Sequence, residues 1–198
     1  MTARRDDPST WPMAVALLPL AVALAAFGAL SLGSGDFAFQ WQPVPPDVPA
    51  RATLAMAAGA LELAAAALLV PARLRAVGAW LAAAILLGWV ALHLPSVASR
   101  PTSIADWLGV AESSAMASAT LMFAATWAGV AAAGTIRRIG FVVFGLSALL
   151  FGISHFVYAD FTASMIPTWL PQRVALVVSS ARHGDTSRGA GRRRGGRR

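Results

Sequence analysis

The sequence predicts an all-α protein: a polytopic transmembrane helical bundle of about five to six spans, built from a four-helix unit and a partial second unit. Of the 198 residues, 57% are hydrophobic and 13% are charged, whereas a soluble domain carries roughly 25% charged residues. The apolar residues lie in blocks of about twenty, the helix length that crosses the hydrocarbon core of a bilayer. Both observations argue against a soluble globular domain.

The first span is expected over residues 12–32. Its apolar stretch is longer than the roughly 7 to 15 residues typical of a signal peptide, so we interpret it as a retained anchor. The other spans are expected over residues 52–70, 76–94, 112–134, 139–157 and, as a shorter sixth candidate, 169–180. The very short joint at Pro71 predicts that spans two and three form an antiparallel hairpin.

The expected organisation has four parts. They are a cytoplasmic N-terminus over residues 1–11, a first four-helix unit over 12–134, a partial second unit over 135–180 and a disordered Arg/Gly-rich tail over 181–198. The tail has two open interpretations. It is either the out-of-frame end of a GC-rich gene or a basic segment that binds anionic lipid headgroups.

The distribution of arginine predicts the orientation, because Arg in short loops stays on the cytoplasmic side. With the N-terminus inside, only Arg51, Arg100 and Arg173 fall outside. We therefore expect a multi-pass protein of the bacterial cytoplasmic (inner) membrane, with the lipid bilayer as its partner. All basic residues are Arg and none is Lys, which indicates codon bias, so no nucleic-acid partner is expected.

The sequence contains an internal repeat at a constant offset of 124 residues. The first copy contributes Phe27, Gly28, Asp36 and Phe37, which recur as Phe151, Gly152, Asp160 and Phe161. Asp36 and Asp160 are therefore candidate outer-loop carboxylates. They would bind a cation or a substrate or, as we favour, cap a turn by accepting backbone N–H groups.

Two sets of residues resemble the DoxX-like family of integral membrane proteins. The run FGISHFVYADFTASMIPTWLP at 151–171 is similar to the His-Phe, acidic-Phe and Pro-x-Trp-Leu-Pro stretch of that family. Glu62, the His-Leu-Pro run at 93–95 and the Leu-Gly-x-x-Glu run at 108–112 extend the resemblance to the first unit. It covers residues 12–180 and implies a C-terminally truncated tandem-repeat type. It also implies an accessory subunit of quinone-linked redox chemistry, with a quinone as candidate cofactor and a redox partner subunit.

Four ionisable side chains are candidate site residues, because a charge at the centre of a span costs at least ~2.5 kcal/mol. Glu62 lies near the middle of span two, His93 near the outer end of span three, Glu112 at the outer start of span four, and His155 near the outer end of span five. We expect His93, Glu112 and His155 to converge on one side of the membrane. The alternative is that these groups only hold helices together.

The sequence leaves three functions open. The first is the quinone-linked accessory subunit, the second a small-solute or proton-coupled carrier that uses Glu62, and the third a structural membrane scaffold. No HExxH, GxSxG, phosphate-binding loop or metal-ligand cluster is present, and these are the spacings that mark common catalytic sites. No metal is expected, and the sequence does not decide whether the protein is an enzyme.

Overall fold

The computed structural model describes residues 11–38 and 41–159, together with 163–164, 167 and 169. Within that part all the regular secondary structure is helical, which confirms the predicted all-α polytopic bundle. The helices are α1 Trp11–Ser34, α2 Arg51–Leu69, α3 Arg75–Ser99, α4 Ile104–Ala124, a 3₁₀ turn at Ala125–Trp127, and α5 Val130–Val157. Residues 1–10, Asp160, residues 170–180 of the expected sixth span and the tail at 181–198 lie outside the described residues.

Each of the five α-helices is long and apolar enough to cross a membrane, so the chain is a multi-pass membrane protein. Successive helices α1 to α4 pack against one another, α1 on α2, α2 on α3 and α3 on α4. The loops at 35–50 and 100–103 therefore lie at one end, called here the Asp36 side. The turn at 70–74 and the joint before Val130 lie at the other end, called the Arg73 side.

Helices α1 and α2 cross at a pair of glycines. A Cβ atom placed on Gly28 would lie 2.6 Å from the backbone oxygen of Gly59, and one placed on Gly59 would lie 2.8 Å from the backbone oxygen of Gly28. Small residues of this kind let two helix backbones approach closely within a bilayer. The crossing brings Ser31 of α1 against Gly59, one helical turn before Glu62.

The predicted fourth span at 112–134 is wrong in its position. Helix α4 begins at Ile104, because the Ser103 side chain accepts a hydrogen bond from the backbone N–H of Asp106 and caps the helix. The Asp106 carboxylate accepts hydrogen bonds from Arg100 at 2.7 Å and from Ser96 at 3.0 Å. These partners allow a charged residue in the first turn. Glu112 consequently lies about two turns inside α4 rather than at its start.

Two other helices are longer than the spans predicted from hydropathy. Helix α3 continues through Pro95 to Ser99, although a helix usually ends before a proline. Helix α5 begins at Val130, ahead of the Arg137–Arg138 pair. The apolar blocks identify the hydrocarbon-embedded part of a helix, and the helix itself extends further at either end.

The chain divides into two compact units, residues 1–148 and 149–198. The first contains α1 to α4 and most of α5. In the second, the described residues comprise the last turns of α5 and a few residues beyond, where the Tyr158 N–H donates to the Ser154 carbonyl at 2.8 Å.

Candidate functional site

Among the described residues, Glu62 is the most deeply buried ionisable side chain, with 0% of its surface exposed. It follows Arg51, the first residue of α2, by eleven residues, which places it about 16 Å along the helix at 1.5 Å per residue. The Gln42 Nε2 group donates a hydrogen bond to Glu62 Oε1. The second oxygen, Oε2, has no partner among the described residues.

Gln42 reaches Glu62 because its loop enters the bundle. The side chain is 1% exposed, and its Oε1 accepts a hydrogen bond from the Ala38 N–H at 3.1 Å. That contact fixes the amide orientation, since a backbone N–H requires an acceptor, and it directs the NH₂ group to Glu62. Non-helical backbone is tolerated at membrane depth only where protein or water surrounds it. The helices of the bundle must therefore surround the loop at Gln42.

Arg51 anchors the same loop from the Asp36 side. Its Nη1 donates to the carbonyl oxygens of Val44 and Pro45, and its Nε lies 2.8 Å from Asp36 Oδ1. The guanidinium group also lies 5.3 Å from the centroid of the Phe37 ring. The Phe37 backbone N–H, and after it Arg51, hold the pKa of the Asp36 carboxyl below its usual value. Asp36 therefore stabilises the loop that carries Gln42.

An aromatic cluster joins this loop to α3. The Phe27 ring centroid lies 5.9 Å from that of Trp41 and 5.1 Å from that of Trp89, both in edge-on geometry. Trp89 also packs with Leu86 and Ala117 in the core between the helices. The cluster therefore connects the loop that carries Gln42 with Trp89, whose carbonyl oxygen contacts His93.

His93 on α3 is the second buried ionisable residue among those predicted for the site. His93 Nδ1 donates to the Trp89 carbonyl at 2.9 Å, and Nε2 is the ring nitrogen that remains for another contact. The ring lies against Gly109, where an added Cβ would be 2.7 Å from Nε2. Glu112 follows Gly109 by three residues on α4, about one helical turn. The structure thus places the His93 ring against the segment of α4 that carries Glu112.

Two buried hydroxyl groups in this region lack partners. Ser31 and Ser113 are almost fully buried, and neither Oγ has a hydrogen-bond partner among the described residues. Other hydroxyls on α4 donate to a carbonyl one turn back, as Ser118 and Thr120 do. The interior therefore holds several uncommitted polar atoms close to the Gln42–Glu62 pair and to Glu112.

The remaining predicted site residues are His155 and Asp160. His155 belongs to the second compact unit, where it is exposed and its Nδ1 lies 2.6 Å from the Phe151 carbonyl oxygen. Asp160 lies outside the described residues, so the proposed repeat of Asp36 stays a prediction. Within the described residues, no group of three or more His, Asp or Glu side chains could hold a metal ion.

Sequence reasoning missed Gln42, Ser31 and Ser113. The available signal for Gln42 was its position between Trp41 and Pro43 in a connection too long for a simple hairpin. The two serines gave no signal, because Ser is common on helices that pack closely in membranes.

The chain was compared with protein-family models, with curated proteins and with solved structures, and none of them matches it. The geometry of the described residues therefore carries the functional argument, and the resemblance to the DoxX-like family stays a prediction.

Proposed function

We propose that this protein is a DoxX-like accessory subunit of quinone-linked redox chemistry, and that it receives a quinone headgroup at the Gln42–Glu62 pair. One observation carries the proposal. Glu62 is fully buried, one of its oxygens accepts from Gln42, and the other has no partner among the described residues.

A quinone headgroup is a flat ring with oxygen atoms at opposite ends, and its oxygens need hydrogen-bonding partners. Glu62 Oε2 and the Ser31 hydroxyl are uncommitted polar atoms on the facing sides of α1 and α2. An unpartnered buried polar group costs about 1–3 kcal/mol, and a hydrogen bond to a ligand oxygen would offset that cost. The ring of Trp41, the residue before Gln42, would supply aromatic surface for the ring of the ligand.

A bound quinone would accept electrons, and side chains of this protein would exchange protons near it. Glu62 has no cationic partner among the described residues, and an unpaired charge is costly inside a membrane. A neutral carboxyl group both donates and accepts a hydrogen bond. His93, whose ring lies against Gly109 of α4, and Glu112 are two further protonatable groups of the same bundle.

The proposal includes a cytoplasmic N-terminus in a bacterial inner membrane. Its support is that the turn with Arg73 and Arg75 and the start of α5 with Arg137 and Arg138 lie at one end, as expected for the cytoplasmic side. The chain has no Cys, so single cysteines at Ala72 and Asp47 report orientation directly. A membrane-impermeant thiol reagent should label the Asp47→Cys variant in intact cells and the Ala72→Cys variant only after lysis.

Photoaffinity labelling tests the binding proposal. Purified protein in nanodiscs is irradiated with an azidoquinone, and labelled peptides are identified by mass spectrometry. We expect label in the segments around Trp41 and Trp89, competition by excess unmodified quinone, and strong loss of labelling in Glu62→Gln. Labelling spread over the lipid-facing helices and unaffected by competition would reject the proposal.

A proton-coupled carrier is the second candidate, favoured by the same free oxygen of Glu62. Such a carrier would show pH-driven solute uptake into proteoliposomes that Glu62→Gln abolishes, without quinone binding. A scaffold would show neither activity, and Glu62→Gln would alter only its stability in detergent.

A further inference from the structure

A groove lies between the first turns of α1 and the end of α2, at the Arg73 side of the first compact unit. It has a volume of about 270 Å³. Its lining combines buried side chains, such as Leu17 and Leu69, with exposed ones, since Leu18 is 57% and Val70 is 65% exposed. The groove therefore opens outward, and in a membrane that opening faces lipid.

The groove extends from the membrane surface toward the middle of the bilayer. Leu69 is the last residue of α2 and Arg75 the first of α3, and the turn between two spans lies at the surface. Along α1 the lining residues run from Val15 to Ala21, about 9 Å of helix at 1.5 Å per residue. A phospholipid has the same arrangement, with its headgroup at the surface and its hydrocarbon chains toward the centre.

Arg75 is the only charged residue among the described residues that line the groove. Its Nε donates to the Leu69 carbonyl at 3.3 Å and its Nη2 to the Val70 carbonyl at 3.2 Å. These bonds cap the C-terminus of α2 and hold the guanidinium group at the surface end of the groove. They use only two of the five N–H donors that a guanidinium group carries.

The positive charge at this end of the groove has no carboxylate partner in the part of the chain that the structure describes. Neither Arg75 nor Arg73, which is exposed in the preceding turn, forms an ion pair there. The planar fork of an arginine matches two oxygens of a phosphate group. An anion with phosphate oxygens therefore suits the surface end of the groove, and a hydrocarbon chain suits the rest of it.

We infer that this groove binds one molecule of an anionic phospholipid, whose phosphate contacts Arg75 and whose acyl chain lies along α1. Basic pockets between transmembrane helices bind anionic headgroups in this way. The site is independent of the proposed quinone site, because its lining includes neither Gln42 nor Glu62. A zwitterionic phospholipid and a second copy of the protein are the competing occupants.

Native mass spectrometry of the full chain, released from detergent micelles, tests the inference. The protein is titrated with phosphatidylglycerol, the anionic probe, or with phosphatidylcholine of the same acyl chains, the zwitterionic one. Leu18→Trp fills the groove from α1, and its matched control is Leu30→Trp, a leucine on the same helix that is 63% exposed and lies outside the groove. Arg75→Gln removes the cation, and Arg138→Gln removes the same charge from an exposed position on α5.

We expect wild-type protein to bind one phosphatidylglycerol about fivefold or more tightly than phosphatidylcholine, the effect of one cation near the surface. Arg75→Gln should abolish this preference, and Arg75→Lys, which keeps the charge, should retain it. Leu18→Trp should weaken binding of phosphatidylglycerol, because the acyl chain loses its place in the groove. Leu30→Trp and Arg138→Gln should behave like wild type.

Three outcomes would overturn the inference. The first is equal affinity of wild-type protein for the two lipids, and the second is a preference that survives Arg75→Gln. The third is a dimer that excludes lipid and that Leu18→Trp dissociates, which would assign the groove to a second copy of the protein. If Arg75→Gln does not fold, Leu18→Trp decides: an affinity for phosphatidylglycerol equal to that of Leu30→Trp overturns the inference.

Discussion

Gln42, in the loop after α1, donates a hydrogen bond to Glu62, which lies more than three turns inside α2. Both side chains are buried, and the loop that carries Gln42 is held at the Asp36 side by Arg51. A loop amide thus satisfies one oxygen of a carboxyl group at membrane depth. The stability of the bundle should depend on this pair.

Replacing Gln42 with Leu should destabilise the protein by about 1–3 kcal/mol, since Glu62 would lose its only described donor inside the bundle. Glu62→Gln should cost less, because an amide oxygen at that position still accepts from Gln42. The free energy of unfolding in mixed detergent micelles measures both effects. If the double variant lost as much stability as the two single variants together, the two side chains would not interact.

Gly59→Ala should destabilise the bundle by about 1–3 kcal/mol, because its Cβ would meet the backbone of α1 and force the two helices apart. Gly88 is the matched control, since a Cβ there meets no atom within 4 Å, and Gly88→Ala should leave stability unchanged or slightly raised. Both are measured by the same unfolding titration. A Gly59→Ala variant as stable as Gly88→Ala would contradict the close crossing.

The Asp36–Arg51 ion pair should make the protein sensitive to acid. The pKa of Asp36 is lowered in the fold, first by the Phe37 N–H and also by Arg51. Its stabilising effect is therefore complete above the ordinary carboxyl pKa of about 3.9 and is lost as the pH falls through the lower folded value. The difference in melting temperature between wild type and Asp36→Asn should be constant at neutral pH and vanish in acid. A difference that grows in acid would refute this assignment.

Gly109→Ala should displace the His93 ring, since its Cβ would lie 2.7 Å from Nε2, while Ala itself favours the helix. We expect the variant to fold and to shift the ring signals of His93 in NMR spectra of ¹⁵N-histidine-labelled protein. Gly134→Ala, where a Cβ meets nothing within 4 Å, is the control. Unchanged His93 signals in Gly109→Ala would show that the ring does not pack there.

The helices could be predicted because the bilayer requires long apolar blocks, and the turn at Pro71 required an antiparallel hairpin. The start of α4 could not be placed by hydropathy, since Asp106 is acceptable there only through its contacts with Arg100 and Ser96. These contacts depend on how α3 ends, which the sequence pattern does not show.

The sequence predicts those site residues that are energetically costly to place inside a membrane. Glu62, His93 and Glu112 are ionisable groups inside apolar blocks, and such groups are rare without a partner or a function. Gln42 was not predictable, because its role depends on a loop that folds back between helices. The free hydroxyls of Ser31 and Ser113 likewise depend on which neighbours the packed bundle gives them.

The most direct test of a ligand site at Glu62 is infrared difference spectroscopy of the nanodisc-embedded protein, recorded with and without a chain-bearing quinone. We predict that quinone binding perturbs a carboxyl C=O stretching band, that this band is absent in Glu62→Gln, and that it persists in Asp36→Asn. A spectrum with no carboxyl change on binding, or a band that survives in Glu62→Gln, would contradict the assignment of the site to Glu62.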